Sequence, residues 1–514
     1  MNIIKQNKEK IKGVLSTFDR MIIKGYFLQL CNYRQFLYYL IQNNIKLKDF
    51  SEFALKQTES LCNNIDNYIK DNNVDLQYLN STKIDKGELA LEEFNKDTTR
   101  TGLIKAFSVI ELCDTMTVVP NKTIQKLEVA SRKTKCKHYY LYYNDIEFGW
   151  MFIKIQTWFP YNVEIYINGR VYLSKILDKE NIKYQMYNNS FSYLEDYDKV
   201  QEIADRILNK DLASSFDGLI KPINNLLPNI EKTIGHSYYW CLAECEFATD
   251  ITFNSRSDLE KFYKPLVEAS FFTFSSSDIY SFFGRNVSRI SSFTKGEVVS
   301  DLRNRYQGYR IKFKINKNNL KMYDKGNNLR IEVTINNPKD FKVQKDKEKI
   351  IKTENGYERQ IVKDWVPMGK SIINLYRYAE ISKDIIKRYQ NALPDIDTNK
   401  IPLKEIKAIS ERKEVNNKTY SGFNILNAET LLLFHVIASG NFIINGFTNK
   451  SIRDKLYPDI NEAMINKVTR LLAKLRAHGI IKKVHKRNKY YLTVKGRSFT
   501  NFILLFINKE TLYS

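Results

Sequence analysis

The chain has 514 residues, 43% hydrophobic and 27% charged, so it is long enough for roughly two to four domains with ordinary globular cores. Lysine and arginine number 81 against 58 acidic residues, and the formal net charge of +23 favours a polyanionic partner. Six dispersed cysteines exclude a disulfide scaffold. A membrane-spanning helix needs about 18 consecutive apolar residues, and the sequence contains no apolar run of that length. These features predict a cytoplasmic protein without a signal peptide that binds nucleic acid rather than membrane, with its oligomeric state open.

Residues 1–100 are predicted to form an N-terminal α/β region. Residues 13–24 are apolar and β-branched, which is typical of a strand, and Asp19 lies inside that run. Residues 29–72 predict two helices, because apolar side chains recur at helical spacing in the second half of that stretch.

Residues 101–392 are predicted to form a central α+β body. In chain order we expect a β-rich stretch at 102–168, helices over 169–226, a strand at 237–253, and helices from an N-cap at Ser257 to residue 285. Three strands follow, at Tyr309–Ile315, Leu320–Lys325 and Leu329–Asn336, and their spacing indicates an antiparallel meander. The charged residues 338–365 predict a mobile excursion, and 370–391 a helix.

Residues 393–423 are predicted as a linker and residues 424–514 as a winged-helix nucleic-acid-binding domain. The expected elements are a helix at Ala428–Ser439, a helix at Asn449–Leu456 capped by Thr448, a third helix from Asn461 to His478 ended by Gly479, and strands at Ile480–His485 and Lys489–Val494. Helix, helix, helix and a two-stranded wing is the winged-helix order.

The charge distribution supports nucleic-acid contacts in that last domain, because residues 441–500 hold 14 basic and 3 acidic residues. The polar side of the third helix would meet base edges or backbone through Asn461, Asn466, Lys467, Thr469, Arg470 and Lys474. The wing would contact phosphates through Lys482, Lys483, Lys486, Arg487 and Lys489. The central sheet adds Arg310, Lys312, Lys314 and Lys321. The alternatives are a domain that docks another protein, and residues that are simply solvated surface.

Four runs resemble a widespread family of uncharacterised bacterial proteins with a C-terminal winged helix. They are KIKGVLSTFDRMIIKG, KCKHYYLYYNDIEFGWMFIKIQTWFPYNVEIYINGR, HSYYWCLAECEFATDI and NNLKMYDKGNNLRIEVTINNPKDF. The resemblance covers nearly the whole chain and implies a full-length member of that family, without implying an activity.

The segment K-x-Y-D-K followed by L-R-x-E is similar to one in replication initiators of filamentous phages, which nick DNA through a tyrosine. The resemblance implies Tyr323 as nucleophile, with Lys325 and Glu332 as its supporting residues. The chain departs from the common rolling-circle pattern, because no two of its five histidines are two residues apart to form a His-x-His metal pair. The alternative is that Tyr323 is an ordinary tyrosine on a strand of a basic sheet.

Acidic residues within apolar runs offer a second hypothesis, a Mg²⁺-dependent nuclease or transposase site. Asp19, Glu246 and Asp250 are the proposed metal ligands, Asp19 also as a catalytic residue, and Glu111 and Asp114 lie in similar positions. The structural alternative is that each carboxylate is ion-paired. His236, Cys241 and Cys245 have spacing that permits zinc, but period-2 geometry favours Cys241 and Cys245 as buried core thiols.

The sequence therefore predicts a nucleic-acid-binding protein, most consistent with DNA processing in a mobile genetic element: nicking, strand transfer or replication initiation. The alternatives are a non-enzymatic DNA-binding regulator and a protein that binds structured RNA.

Overall fold

The computed structural model describes residues 3–285, 298–305, 308–353, 356–393, 408–424, 427–457, 462–485, 487–497, 499–500 and 503. The helices are α1 Ile3–Gln6, α2 Tyr33–Gln42, α3 Phe50–Asp71, α4 Lys86–Phe94, α5 Gly169–Lys179, α6 Tyr197–Ile207, α7 Leu212–Ile220, α8 Leu227–Ile234, α9 Arg256–Thr273, α10 Ser276–Phe282, α11 Leu375–Ala392, α12 Ala428–Ile437, α13 Gly440–Asn445, α14 Asn449–Leu456 and α15 Glu462–Ala477.

The strands are β1 Ile11–Tyr26, β2 Leu76–Leu79, β3 Gly102–Asn121, β4 Lys126–Asp145, β5 Gly149–Gln156, β6 Val163–Asn168, β7 Tyr184–Met186, β8 Phe191–Leu194, β9 Tyr239–Phe253, β10 Val298–Arg305, β11 Gly308–Ile315, β12 Asn318–Lys325, β13 Asn328–Ile335, β14 Lys342–Thr353, β15 Gly356–Pro367, β16 Lys413–Val415, β17 Lys418–Tyr420, β18 Ile481–Lys483 and β19 Tyr490–Leu492. The chain is of the α+β class, as predicted, and it contains a large mixed sheet.

The chain divides into two compact units that alternate along the sequence. Unit 1 comprises Met1–Leu15, Thr249–Val333 and Ser382–Ser514, and unit 2 comprises Ser16–Ala248 and Thr334–Ile381. Strands β1, β9 and β13 contribute residues to both units.

Unit 2 is built on strands in the order β9-β1-β6-β5-β4-β3-β2. The sheet is mixed, because β2 pairs parallel with β3 while β3 to β6 pair antiparallel in succession. Alternation buries one face of β5 and β6, through side chains such as Met151, Ile153 and Ile165. Helix α2 packs on β4, and α3 and α4 on β3.

Unit 1 contains strands β10, β11 and β12, which pair antiparallel in succession, and most of the neighbouring strand β13. Alternating apolar residues of β11 and β12, including Phe313 and Met322, are fully buried, and α9 and α10 pack against β11. The opposite face of these strands is polar.

The C-terminal elements α12 to α15 and β18–β19 share one hydrophobic core, which includes Phe434, Ile452, Val468 and Leu475. Thr448 caps α14 as predicted, since its side chain accepts a hydrogen bond from the Ser451 backbone N–H.

Glycine ends the third predicted helix of this region. Gly479 follows α15 with φ of +71°, a left-handed conformation that glycine adopts without strain, as predicted. Strands β18 and β19 pair antiparallel. Helix α13 was not predicted.

Several sequence predictions are corrected. The charged residues 338–365 form most of the β14–β15 pair of strands rather than a mobile excursion. The described side chains of these strands are mostly exposed, so the sequence there lacks a strong hydrophobic alternation. Helix α9 is capped by Ser255, whose side chain accepts from the Asp258 N–H, and not by Ser257. The short β7–β8 hairpin interrupts the predicted helical stretch 169–226. Of the predicted linker, residues 394–407 lie outside the described residues and 413–420 form the β16–β17 hairpin.

Among the described residues, no helix is long and apolar enough to cross a bilayer.

Candidate functional site

One face of the β10–β12 sheet in unit 1 is basic. Side chains alternate along a strand, so the buried Ile311, Phe313 and Leu320 leave polar side chains on the opposite face. That face carries Arg303, Arg310, Lys312, Lys314, Lys321 and Lys325, which include all four predicted cations of the central sheet.

Not all of this charge is available to a ligand. Arg310 is buried and lies 3.7 Å from the Asp301 carboxylate. Lys312 is half-buried and sits opposite Lys321 in the strand register, and burial together with neighbouring cations, led by Lys321, lowers its pKa. The face is therefore a crowded cationic surface whose repulsion a polyanion would relieve.

Glu332 on β13 joins two residues of the predicted nickase set. The Tyr323 hydroxyl donates to Glu332 Oε2 at 2.6 Å, and Lys321 Nζ lies 2.5 Å from Oε1. Burial opposes ionisation of Glu332, but the Lys321 ammonium and the Tyr323 hydroxyl outweigh it and hold its pKa below the ordinary value. Tyr323 and Glu332 are thus in contact, and Lys321 also contacts the Glu332 carboxylate.

The predicted carboxylates of unit 2 are held by nitrogen donors. Asn189 donates to Asp19 Oδ1 at 2.5 Å, and Arg170 Nε lies 3.7 Å from Asp19 Oδ2. Arg20 donates to Glu246 Oε1 at 3.1 Å. These partners match the structural alternative, in which each buried carboxylate is compensated by a cation or an amide.

Asp250, in unit 1, forms a two-pronged ion pair. Arg330 Nε and Nη2 donate to its two oxygens at 2.7 and 2.9 Å, and both side chains are almost completely buried. Because both carboxylate oxygens are engaged by one guanidinium, the arrangement fits an ion pair better than a Mg²⁺ ligand.

In unit 2, Glu111 is also ion-paired, and the two cysteines considered for zinc are buried. Glu111 accepts from the Tyr140 hydroxyl at 2.7 Å and from Lys154 Nζ at 2.5 Å. Cys241 and Cys245 are buried thiols, as the period-2 spacing predicts, and burial raises the pKa of both.

The exposed side of α15 carries the predicted base-reading residues. Asn466, Thr469 and Arg470 are exposed, while Val468 faces the core. Thr469 accepts a hydrogen bond from Asn449 at 2.8 Å. Asn466 and Arg470 have no hydrogen bond or ion pair with the described residues. Asn461 lies outside the described residues.

Two predicted lysines of α15 are engaged within the protein. Lys467 pairs with Glu429, and its ammonium lies over the Tyr457 ring. Lys474 is half-buried, donates to the Gly422 carbonyl at 2.8 Å and lies over the Phe423 ring. Lys474 therefore contacts the end of the segment that precedes α12.

The two-stranded β18–β19 sheet presents free cations. Ile481 is buried, whereas Lys482, Lys483 and Arg487 are exposed and have no side-chain partner among the described residues. Lys489 lies over the Tyr491 ring at 5.6 Å, and Lys486 lies outside the described residues. Lys482, Lys483 and Arg487 of this hairpin, with Arg470 of α15, are therefore exposed cations without a side-chain partner among the described residues.

A second cluster in unit 2 was missed by the sequence analysis. Cys113 on β3 and Cys136 and His138 on β4 place their ligand atoms within 4.8 Å of one another. Within the described ranges, no other group of three histidine, cysteine or carboxylate side chains is so close. The signal was present as the C-x-H spacing of Cys136 and His138, since residues two apart on a strand share a face.

Comparison of the chain with protein-family models, curated proteins and solved structures finds no match.

Proposed function

We propose that the protein binds duplex nucleic acid through a C-terminal winged-helix domain, with α15 as the recognition helix and β18–β19 as the wing. The observation that carries the proposal is a set of polar and cationic side chains on α15 and the β18–β19 hairpin that are exposed and have no side-chain partner among the described residues: Asn466, Arg470, Lys482, Lys483 and Arg487. A helix of this kind fits the major groove, and a cationic two-stranded sheet beside it contacts phosphates.

The residue types on α15 suit base reading. Arginine pairs bidentately with guanine and asparagine with adenine, and Arg470 lies one turn beyond Asn466 on the helix. The side chains between them are occupied or buried, since Lys467 pairs with Glu429 and Val468 is in the core. Sequence preference would therefore depend mainly on Asn466 and Arg470.

The basic face of β10–β12 belongs to the same compact unit and would add phosphate contacts. Lys314, two residues from Lys312 on β11, is half-buried, and Lys325 extends the same face at the end of β12. This face contributes affinity without sequence discrimination, because phosphate contacts carry no base information.

Selection from random duplex DNA at low salt tests the proposal. The protein should enrich a preferred site, and Arg470→Ala should weaken binding to it by roughly 1–3 kcal/mol, about 5- to 150-fold. Lys46→Ala, an exposed lysine of unit 2, is the control and should change affinity little. A parallel selection from structured RNA tests the RNA alternative. Unchanged affinity of Arg470→Ala would show that α15 does not read bases, and absence of enrichment would remove sequence-specific binding.

Strand cleavage through Tyr323 is the second candidate, favoured by the Tyr323–Glu332 contact on a basic face. In that reaction the Tyr323 oxygen would attack a backbone phosphorus and the phenolic proton would pass to Glu332. The bond from phosphorus to the sugar oxygen would break, and that oxygen would take a proton from water and leave as a sugar hydroxyl. The lowered pKa of Glu332 weakens it as a proton acceptor, so the geometry supports binding more strongly than cleavage.

A further inference from the structure

We propose that Cys113, Cys136 and His138 bind one zinc ion, with the fourth coordination position open to a cavity in unit 2. This site is independent of the nucleic-acid interface in unit 1. It rests on the side chains that two long strands bring together and on the cavity beside them.

The β3–β4 register places the three ligands on one face. Cys113 lies opposite Thr134, and Thr134, Cys136 and His138 alternate along β4, so their side chains project to the same side. Cys113 is the diagonal neighbour of Cys136 across the strand pair, a separation that side chains bridge. Two rigid, paired strands therefore supply a pre-formed ligand set.

The ligand atoms are close enough to share one metal ion. Cys113 Sγ lies 2.9 Å from Cys136 Sγ, and a ring nitrogen of His138 lies within 4.8 Å of both sulfurs. In a tetrahedral site with Zn–S near 2.3 Å and Zn–N near 2.0 Å, the S–S and S–N separations are about 3.8 and 3.5 Å. The sulfurs would separate by about 0.9 Å, which side-chain rotation provides without moving the strands.

The histidine is prepared for coordination. His138 is 3% exposed, and its Nδ1 lies 3.2 Å from the Cys136 carbonyl oxygen. Donation from Nδ1–H to that carbonyl leaves the lone pair on Nε2, and a second hydrogen bond of this kind accompanies most zinc-binding histidines. Two thiolates and an imidazole are ligands that select zinc over Mg²⁺ or Ca²⁺.

The cavity supplies the open position. It has a volume of about 350 Å³, and its lining includes Cys113, His138, Lys154, Gln156 and Asn162. Lys154 does not oppose a cation strongly, because its ammonium is paired with Glu111. Three protein ligands beside a polar cavity correspond to a zinc that keeps a water or a substrate atom as its fourth ligand, unlike a closed four-ligand structural site.

The test is metal analysis of the full chain purified with a reductant. We expect one zinc per chain, and we expect cobalt substituted into the metal-free protein to give thiolate-to-cobalt charge transfer and tetrahedral d–d absorption. Cys136→Ser and His138→Ala should each weaken zinc binding at least about tenfold. Cys31→Ser is the matched control, since Cys31 lines the same cavity outside the cluster, and it should retain zinc.

Three results would overturn the proposal. The reduced wild-type chain could take up no zinc, Cys31→Ser could lose zinc as Cys136→Ser does, or the cobalt spectrum could lack thiolate charge transfer. Intact-mass analysis without reductant identifies the competing arrangement, a Cys113–Cys136 disulfide two hydrogens lighter. A chain that forms that disulfide and binds no zinc after reduction contradicts the assignment. Because the wild-type measurements stand alone, they decide the matter even where a variant folds poorly.

Discussion

Replacing Lys482 and Lys483 by alanine should reduce the salt dependence of DNA binding by a predictable amount. Both side chains are exposed on β18 and have no partner among the described residues, so their loss should change the free energy of unfolding by less than about 0.5 kcal/mol. Any change in binding then reports lost phosphate contacts rather than a damaged fold.

The magnitude follows from counterion release. Of the cations predicted to contact nucleic acid on α15 and the wing, four are exposed and have no partner among the described residues: Arg470, Lys482, Lys483 and Arg487. If each contacts one phosphate, the slope of log K against log salt is about −3.6, and affinity falls about 150-fold between 50 and 200 mM salt. The double variant should have a slope near −1.8 and lose only about 12-fold over that range.

Fluorescence anisotropy with a labelled duplex, titrated at several salt concentrations, measures both slopes. Lys46→Ala/Lys48→Ala removes the same charge from exposed positions in unit 2 and is the matched control. A slope unchanged in the Lys482/Lys483 variant, or reduced equally in the control, would show that the wing does not contact phosphates and that net charge alone attracts DNA.

Three further predictions concern chemistry and stability. If Tyr323 is a nucleophile, the wild-type chain with Mg²⁺ and supercoiled DNA gives a covalent protein–DNA adduct that denaturing gels detect and that Tyr323→Phe lacks; no adduct with the wild-type chain removes cleavage through this residue. Asp250→Ala should lower the free energy of unfolding by about 3–5 kcal/mol, because it leaves Arg330 buried without its carboxylate, and a loss below about 1 kcal/mol in urea denaturation would contradict a structural role. Burial lowers the pKa of His478, whose Nε2 lies 3.1 Å from the Ser421 carbonyl oxygen, so the unfolded state binds the proton more readily and stability falls as pH drops below about 6.5. His478→Gln should flatten that decline in urea denaturation measured between about pH 5 and 7.

Much of the fold is readable from the sequence where a strand buries one face. In β11 and β12 the apolar residues Phe313 and Met322 alternate with lysines, and the three-strand meander was predicted to within two residues of its bounds. The β14–β15 hairpin was not predictable in this way. Its described side chains are mostly exposed, as Trp365 is, so its stability comes from the backbone ladder rather than from a hydrophobic pattern.

The Cys113–Cys136–His138 cluster could not be predicted from local sequence patterns alone. The spacing of Cys136 and His138 is local, but Cys113 is 23 residues from Cys136 and reaches it only through pairing register. That register follows from the turn between Asn121 and Lys126, because paired positions in an antiparallel ladder keep a constant sum of residue numbers. A one-residue slip would move Cys113 to the other face, so the site depends on a turn that the sequence did not mark clearly.

Fewer cations of the C-terminal region are free to contact phosphates than its count of basic residues suggests. Residues 441–500 hold 14 basic residues against 3 acidic, which alone suggests a salt slope near −10. Yet Lys467 is paired with Glu429, and Lys474 holds a backbone carbonyl. A measured slope near −4 would indicate that Arg470, Lys482, Lys483 and Arg487 form the interface. A slope near −5.4 would mean that Lys467 and Lys474 exchange their internal partners for phosphates on binding, and a slope near −10 would mean that further basic residues of 441–500 contact phosphates.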